Sequence, residues 1–298
     1  MRKVLGALAI LFSISSCVTT DTTNMVELKS GDLINKRIPD RASSALPGSV
    51  FVSNARSLDK DARESAVLSQ ILGGNIPPFL HRFKPVHLSL QPPGKPKIEA
   101  IIWVMPDYIS IGSDTNFVRV PMNPVTAQRI ADRFGCILPT TKMVDAIYAQ
   151  AEVKLAPFPM KAISSMVSTD YFWRHNMTIE GQLKNFTPGK LIAGHKKDVV
   201  LTNKLVVQPT RVAIYGWHMM NGRPIQPLSL VHGYKYADYS HGIRLVSNYM
   251  QIDGKAVMAP EILKDPNFAS LLSNEGIVTV PRIRTELLSQ APSSAAQL

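Results

Sequence analysis

The sequence predicts an α+β fold, in one domain over residues 46–287 with a largely antiparallel sheet and a helical pair. Three observations carry that expectation. Apolar residues recur with the period of a strand around residues 86–104, with the period of a helix between 123 and 151, and with the strand period again from Leu191 onward. Strands, then helices, then strands segregate as α+β chains do, whereas regular βαβ alternation would build a parallel sheet. The extended runs are joined by short turn-rich connections, which suit antiparallel pairing. Between residues 46 and 287 no polar stretch is long enough to separate two domains, and 45% apolar with 18% charged residues is ordinary for a chain that folds around one core.

In chain order, Ser57 is placed to cap a first helix, with Asp59 and Asp61 in its first turn and Gly73-Gly74 at its end. Ala62, Val67, Leu68, Ile71 and Leu72 make its apolar side. Val86 to Leu90 and Ile98 to Val104 form a hairpin about Pro-Pro-Gly-Lys-Pro, and Tyr108 to Ile111 with Phe117 to Val120 make two shorter strands. Asn123 and Pro124 open a helix that buries Ala127, Ile130, Ala131 and Phe134 and stops at Gly135. Thr140 or Thr141 starts its companion, with Val144, Ile147, Tyr148 and Ala151 inward. Val199 to Leu201, Leu205 to Val207, Val212 to Trp217, Ile243 to Ser247 and Tyr249 to Ile252 read as strands, closed by the hairpin pair Asp253-Gly254. Short helices near Pro260 to Lys264 and Pro266 to Leu272 complete the domain.

The N-terminus has a different logic. Met1-Arg2-Lys3 is a positive start, and Val4 to Ile14 is an apolar run too short to span a bilayer, which takes about 20 residues. It ends in Ile14-Ser15-Ser16-Cys17, which resembles the lipobox of bacterial lipoproteins. That resemblance implies a signal peptide over residues 1–16 and a lipidated Cys17 as the first residue of the mature chain. Val18, where an Asp would retain the protein at the inner membrane, implies the outer membrane facing the periplasm in a Gram-negative host. Residues 17–45, rich in Thr, Ser, Asp and Asn, read as a flexible tether, and 288–298 as a loose tail. The lipid makes a membrane the first partner. Lipidation also leaves Cys136 without a cysteine to pair with, so no internal disulfide is expected.

The formal charge of +11 falls to +9 once Arg2 and Lys3 are removed. An exported basic protein meets anionic envelope polymers, peptidoglycan among them, and nucleic acid is not expected: no basic run exceeds two residues and no nucleic-acid motif is present.

Four of the seven histidines, His195, His218, His232 and His241, fall within 47 residues and stand beside turns and polar groups rather than inside apolar stripes. Three chemistries fit them. A divalent metal such as zinc takes imidazole and carboxylate ligands, here with Asp198 or Asp238, although no diagnostic spacing is present. Cys136 could act as a nucleophile with His218, His232 or His241 as base. An imidazole oriented by Asp198 or Asp238 could act as acid and base, with Arg244 clamping a substrate oxyanion. Lys196 and Lys197 would attract the anionic polymer, and Trp217 and Tyr239 would stack on its sugar rings. The bland counterpart of each is a histidine holding a turn or a cysteine in the core.

Ser240-His241-Gly242-Ile243-Arg244 resembles part of the L,D-transpeptidase motif, Ser-His-Gly-Cys-Ile-Arg. The nucleophilic cysteine of that motif is missing here, so the activity does not carry over. Taken together, the sequence leads to an envelope-anchored hydrolase or acyl-transfer enzyme, with a non-catalytic binding or assembly lipoprotein as the alternative.

Overall fold

A computed structural model describes residues 37–288. The signal peptide, Cys17, the tether up to residue 36 and the tail from residue 289 lie outside the described residues. Residues 37–45, expected in the tether, already belong to the domain. Ile38 is buried, and Arg41 donates to Asn75 Oδ1 (3.1 Å) and to the carbonyl of Ala45 (2.6 Å).

The fold is α+β. It opens with α1 (Gly48–Ala55), α2 (Lys60–Leu72), β1 (Lys84–Leu90), β2 (Ile98–Val104), β3 (Ser110–Ser113) and β4 (Asn116–Arg119). Next come α3 (Pro124–Phe134), β5 (Cys136–Ile137), α4 (Thr141–Gln150), β6 (Val153–Lys154), α5 (Thr169–Leu183), β7 (Ile192–Ala193), β8 (Lys197–Val199) and α6 (Lys204–Val207). The rest is β9 (Ile214–His218), β10 (Pro224–Ser229), β11 (His241–Gly242), β12 (Val246–Ile252), β13 (Lys255–Met258), α7 (Ala259–Lys264), α8 (Ala269–Leu272) and α9 (Thr285–Leu288).

The larger sheet runs β1-β2-β12-β13, with β5 also pairing β12, and every pairing in it is antiparallel. Its first hairpin is the one the Pro-Gly loop announced. Its last closes on Asp253 (φ 47°) and Gly254 (φ 79°), the two positive values that a type I′ turn requires. The main core packs this sheet against the helices, with Val86, Ile102, Val104, Val246 and Met250 on the sheet side and Ile71, Ile130 and Ile147 on the helix side. The smaller sheet runs β10-β9-β8-β11, and its β8–β11 pair is parallel.

Differences from expectation have local causes. Asp59, not Ser57, caps α2, accepting from Ala62 N at 2.8 Å. The buried face then follows Arg63, Val67 and Ile71 and leaves Ala62 exposed; Arg63 enters the core because its guanidinium lies 4.8 Å over the Phe172 ring. Leu205 to Val207 is the end of a helical turn rather than a strand, with Val207 79% exposed. The connector between α3 and α4 is itself a strand, β5, so these helices are joined through the sheet. The long helix α5 was not anticipated; Ser168 caps it, accepting from Tyr171 N.

Candidate active site

The smaller sheet gathers the histidine-bearing segments. In register, His241 stands beside Lys197 and Lys197 beside Gly216; Gly242 stands beside Asp198 and Asp198 beside Tyr215. Residues from three distant stretches of sequence thus share one edge.

At the end of β9, His218 opens onto a polar pocket of about 520 Å³ lined by Asp145, Tyr148, Lys154, Tyr215 and Asn221 among others. His218 Nε2 lies 2.9 Å from Asp145 Oδ1. The Tyr215 hydroxyl donates to the same oxygen at 2.9 Å. Both bonds fall on Oδ1 and the Asp145 side chain is 44% exposed, which leaves Oδ2 for water or substrate. The imidazole stacks on Tyr148 (4.5 Å, 16°), and the Tyr148 hydroxyl is fixed by the Met219 carbonyl at 2.6 Å. Burial and the Asp145 charge push the Tyr215 phenol well above its ordinary range, so it stays a donor.

The backbone that aims His218 is strained. Gly216 has φ 104°, and Trp217 has φ 56°, an uncommon value for a bulky residue. Such a conformation costs on the order of 1–3 kcal/mol and persists where the surroundings over-determine it. Trp217 N donates to the Lys196 carbonyl (3.1 Å), which holds the kink in place. Gly194, at φ 98°, passes so close to the chain that a Cβ there would sit 2.4 Å from the Leu155 carbonyl oxygen.

A network of largely buried charge runs through the interior as well, and its Asp107, Arg119 and Glu180 line a separate cavity of about 190 Å³. Arg119 donates to Asp107 Oδ2 through Nε (3.0 Å) and Nη2 (2.6 Å), and to Glu180 Oε1 (2.7 Å). His195 Nε2 is 3.0 Å from Asp107 Oδ1. Arg119 and His195 together hold Asp107 well below the usual carboxylate range against the pull of burial. Asp198 accepts from the Tyr108 hydroxyl at 2.8 Å, and burial raises it to about 6. Arg244, expected as a substrate clamp, is 1% exposed and donates inward to the carbonyls of Met105 (2.9 Å) and Ile192 (2.6 Å). Its guanidinium is spent on backbone, where solvent and substrate do not reach.

Asp238 ties its own turn together, accepting from Ser240 N (2.8 Å), Ser240 Oγ (2.5 Å) and the Tyr236 hydroxyl (3.0 Å). His241 Nε2 stands 4.0 Å from Asp238 and is fully buried, which lowers it to about 4. His232 stacks on Tyr236 at 3.9 Å. Lys196, Trp217 and Tyr239, expected to meet substrate, are all buried; Lys197 is half-buried, its ammonium 5.1 Å over the Trp217 ring.

Cys136 sits in β5, paired in the larger sheet opposite Ser247. It is buried, its thiol donates to the Phe134 carbonyl, and desolvation pushes its pKa far up. That is the opposite of the thiolate a nucleophile needs.

The structure therefore brings His218 to an open carboxylate and leaves His195 and His241 inside. The partner of His218, Asp145, was not anticipated, nor were Tyr215, Tyr148 and Lys154; an aspartate bordering the buried face of a capped helix, three residues before a buried tyrosine, was the available signal. Among the described residues no group of three or more His, Cys, Asp or Glu side chains could hold a metal ion, and no helix is long and apolar enough to cross a membrane. Compared with models of known protein families, with curated proteins and with solved structures, the chain matches none of them.

Proposed function

We propose that the protein is a lipid-anchored envelope hydrolase acting on peptidoglycan or another anionic envelope polymer, with its chemistry at the His218–Asp145 pair. The observation that carries this reading is a hydrogen-bonded imidazole and carboxylate at an open polar pocket, aimed by strained backbone. Asp145 Oδ2 takes a proton from water as that water attacks a carbonyl or acetal carbon of the substrate. His218 and Tyr215, both bonded to Oδ1, hold the carboxylate in place, and the protonated Oδ2 then passes its proton to the leaving group. None of the residues lining the pocket is Ser, Thr or Cys, which favours direct attack by water over an acyl-enzyme intermediate. Lys154 on the pocket wall and the charge of +9 that remains once Arg2 and Lys3 are removed from the +11 of the full sequence favour a substrate bearing carboxylates. Anchoring at Cys17 and a place in the outer membrane of a Gram-negative host belong to the same proposal and rest on the lipobox.

The test is digestion of purified sacculi by the wild type, Asp145→Asn and His218→Ala, with soluble products separated by chromatography. Product release by the wild type that falls on the order of 10²-fold or more in each variant supports the assignment. Intact sacculi after wild-type treatment overturn peptidoglycan as the substrate and favour the binding lipoprotein reading.

A further inference from the structure

The cavity of about 190 Å³ reaches the surface where α5 ends, at the exposed Lys184, Phe186 and Thr187. Its inner lining is largely apolar, made by Phe79, Phe117, Leu183 and Ile192, all buried. Phe79 meets Phe117 edge to face, with ring centroids 5.3 Å apart. Phe186 is 43% exposed, an aromatic surface that a ligand in the cavity would cover. An apolar cavity of about 150 Å³ is enough for benzene, so the space here suits one ring-sized group.

The same cavity has a charged lining. Arg119 donates to Asp107 through Nε and Nη2, and to Glu180 and Asn176 through Nη1. Burial works to raise Asp107, but Arg119 and His195 hold it well below the usual carboxylate range. His195 brings no counter-charge at neutral pH, since burial lowers it to about 4. Two carboxylates therefore face one guanidinium, which leaves a surplus negative charge. Glu180 is where that surplus is accessible. Its side chain is 36% exposed, Oε1 takes the Arg119 bond, and Oε2 has no protein partner among the described residues. Lys184 follows Glu180 at the spacing of a helical ion pair, yet no such pair joins them among the described residues. The carbonyl end of α5, at Leu183 on the cavity lining, adds partial negative charge.

We propose that this cavity is a binding site for a small organic ammonium ion with an apolar, ring-sized body. The ammonium donates to Glu180 Oε2 and neutralises the surplus charge, while the body fills the space lined by Phe79, Leu183 and Phe186. Aromatic rings beside a cation add to its attraction. An anion of the same size is disfavoured. It would meet a guanidinium that has four N–H bonds already made and two carboxylates already matching its charge. A hydrocarbon without the ammonium would fill the space and leave the Glu180 charge unanswered. The site shares no lining residue with the His218–Asp145 pocket and is independent of the chemistry assigned there.

The experiment is isothermal titration calorimetry of the full folded chain at pH 7 with 2-phenylethylammonium and, separately, phenylacetate. The expected result is saturable binding of the cation, roughly tenfold or more tighter than that of phenylacetate. It weakens about tenfold in Glu180→Gln and about threefold in Phe186→Ala, and is unchanged in His218→Ala. No saturable heat from the cation at millimolar concentration overturns the proposal, and so does phenylacetate binding as tightly as the cation. An affinity unchanged in Glu180→Gln overturns it as well; should that variant fail to fold, the exposed Phe186→Ala decides in its place. Binding lost in His218→Ala also overturns it, because the cation would then sit in the other pocket.

Discussion

At the scale of single residues, the smaller sheet depends on positions where no side chain fits. Gly242 pairs with Asp198 across β11 and β8, and a Cβ built on it would lie 2.5 Å from the Tyr108 ring, whose hydroxyl holds Asp198. Gly242→Ala is therefore expected to destabilise the fold by about 1–3 kcal/mol, the usual cost of forcing a methyl group into a packed interior. Chemical denaturation reads this as a lowered midpoint, and an unchanged midpoint would mean that the Tyr108 ring swings away freely. The histidine clustering was visible in the sequence because it is local. The partner of His218 was not, because Asp145 lies 73 residues away on a helix whose inner side looks like plain core.

At the scale of elements, what was legible is what carries its own punctuation. Helix α3 has Asn123 accepting from Thr126 N at 2.9 Å, Pro124 in the first turn, and Gly135 at φ 68° past its end, so both limits could be read directly. Replacing Asn123 with Ala removes that cap and should cost about 1 kcal/mol, visible as a lower Tm in calorimetry; no shift would show that solvent replaces the cap without loss. Helix α5 escaped notice for a physical reason. Its buried face includes His175 and Asn176, and Asn176 bonds Arg119 N and the Phe117 carbonyl, so the apolar period is interrupted by residues the buried network needs. Leu205 to Val207 misled in the opposite sense, since three apolar residues in a row fit a strand as well as they fit an exposed helical turn.

At the scale of the whole molecule, the buried ionisable groups set the pH response. Burial holds His175, His195 and His241 down, at about 2, 4 and 4 against an ordinary 6.5. The fold accepts them neutral, so their contribution is complete above about pH 6.5 and drains away as the pH falls toward 4. Asp198, raised to about 6, works the other way, contributing at low pH and losing that contribution as the pH rises through 6. Three groups outweigh one, and Tm should climb from pH 4 to pH 6.5 in scanning calorimetry; a flat profile would show that the three histidines are charged in the fold. Asp238, lowered to about 2, adds to the loss below pH 4. The antiparallel sheet has a consequence for how the chain is made. Strand β12 joins β2 to β13, yet β12 comes after nearly all the other strands in sequence. A polypeptide emerging N-terminus first must therefore carry β2 with an unpaired edge until residues 246–252 appear, which leaves that edge open to aggregation for about half of its synthesis, the interval in which a chaperone would shield it.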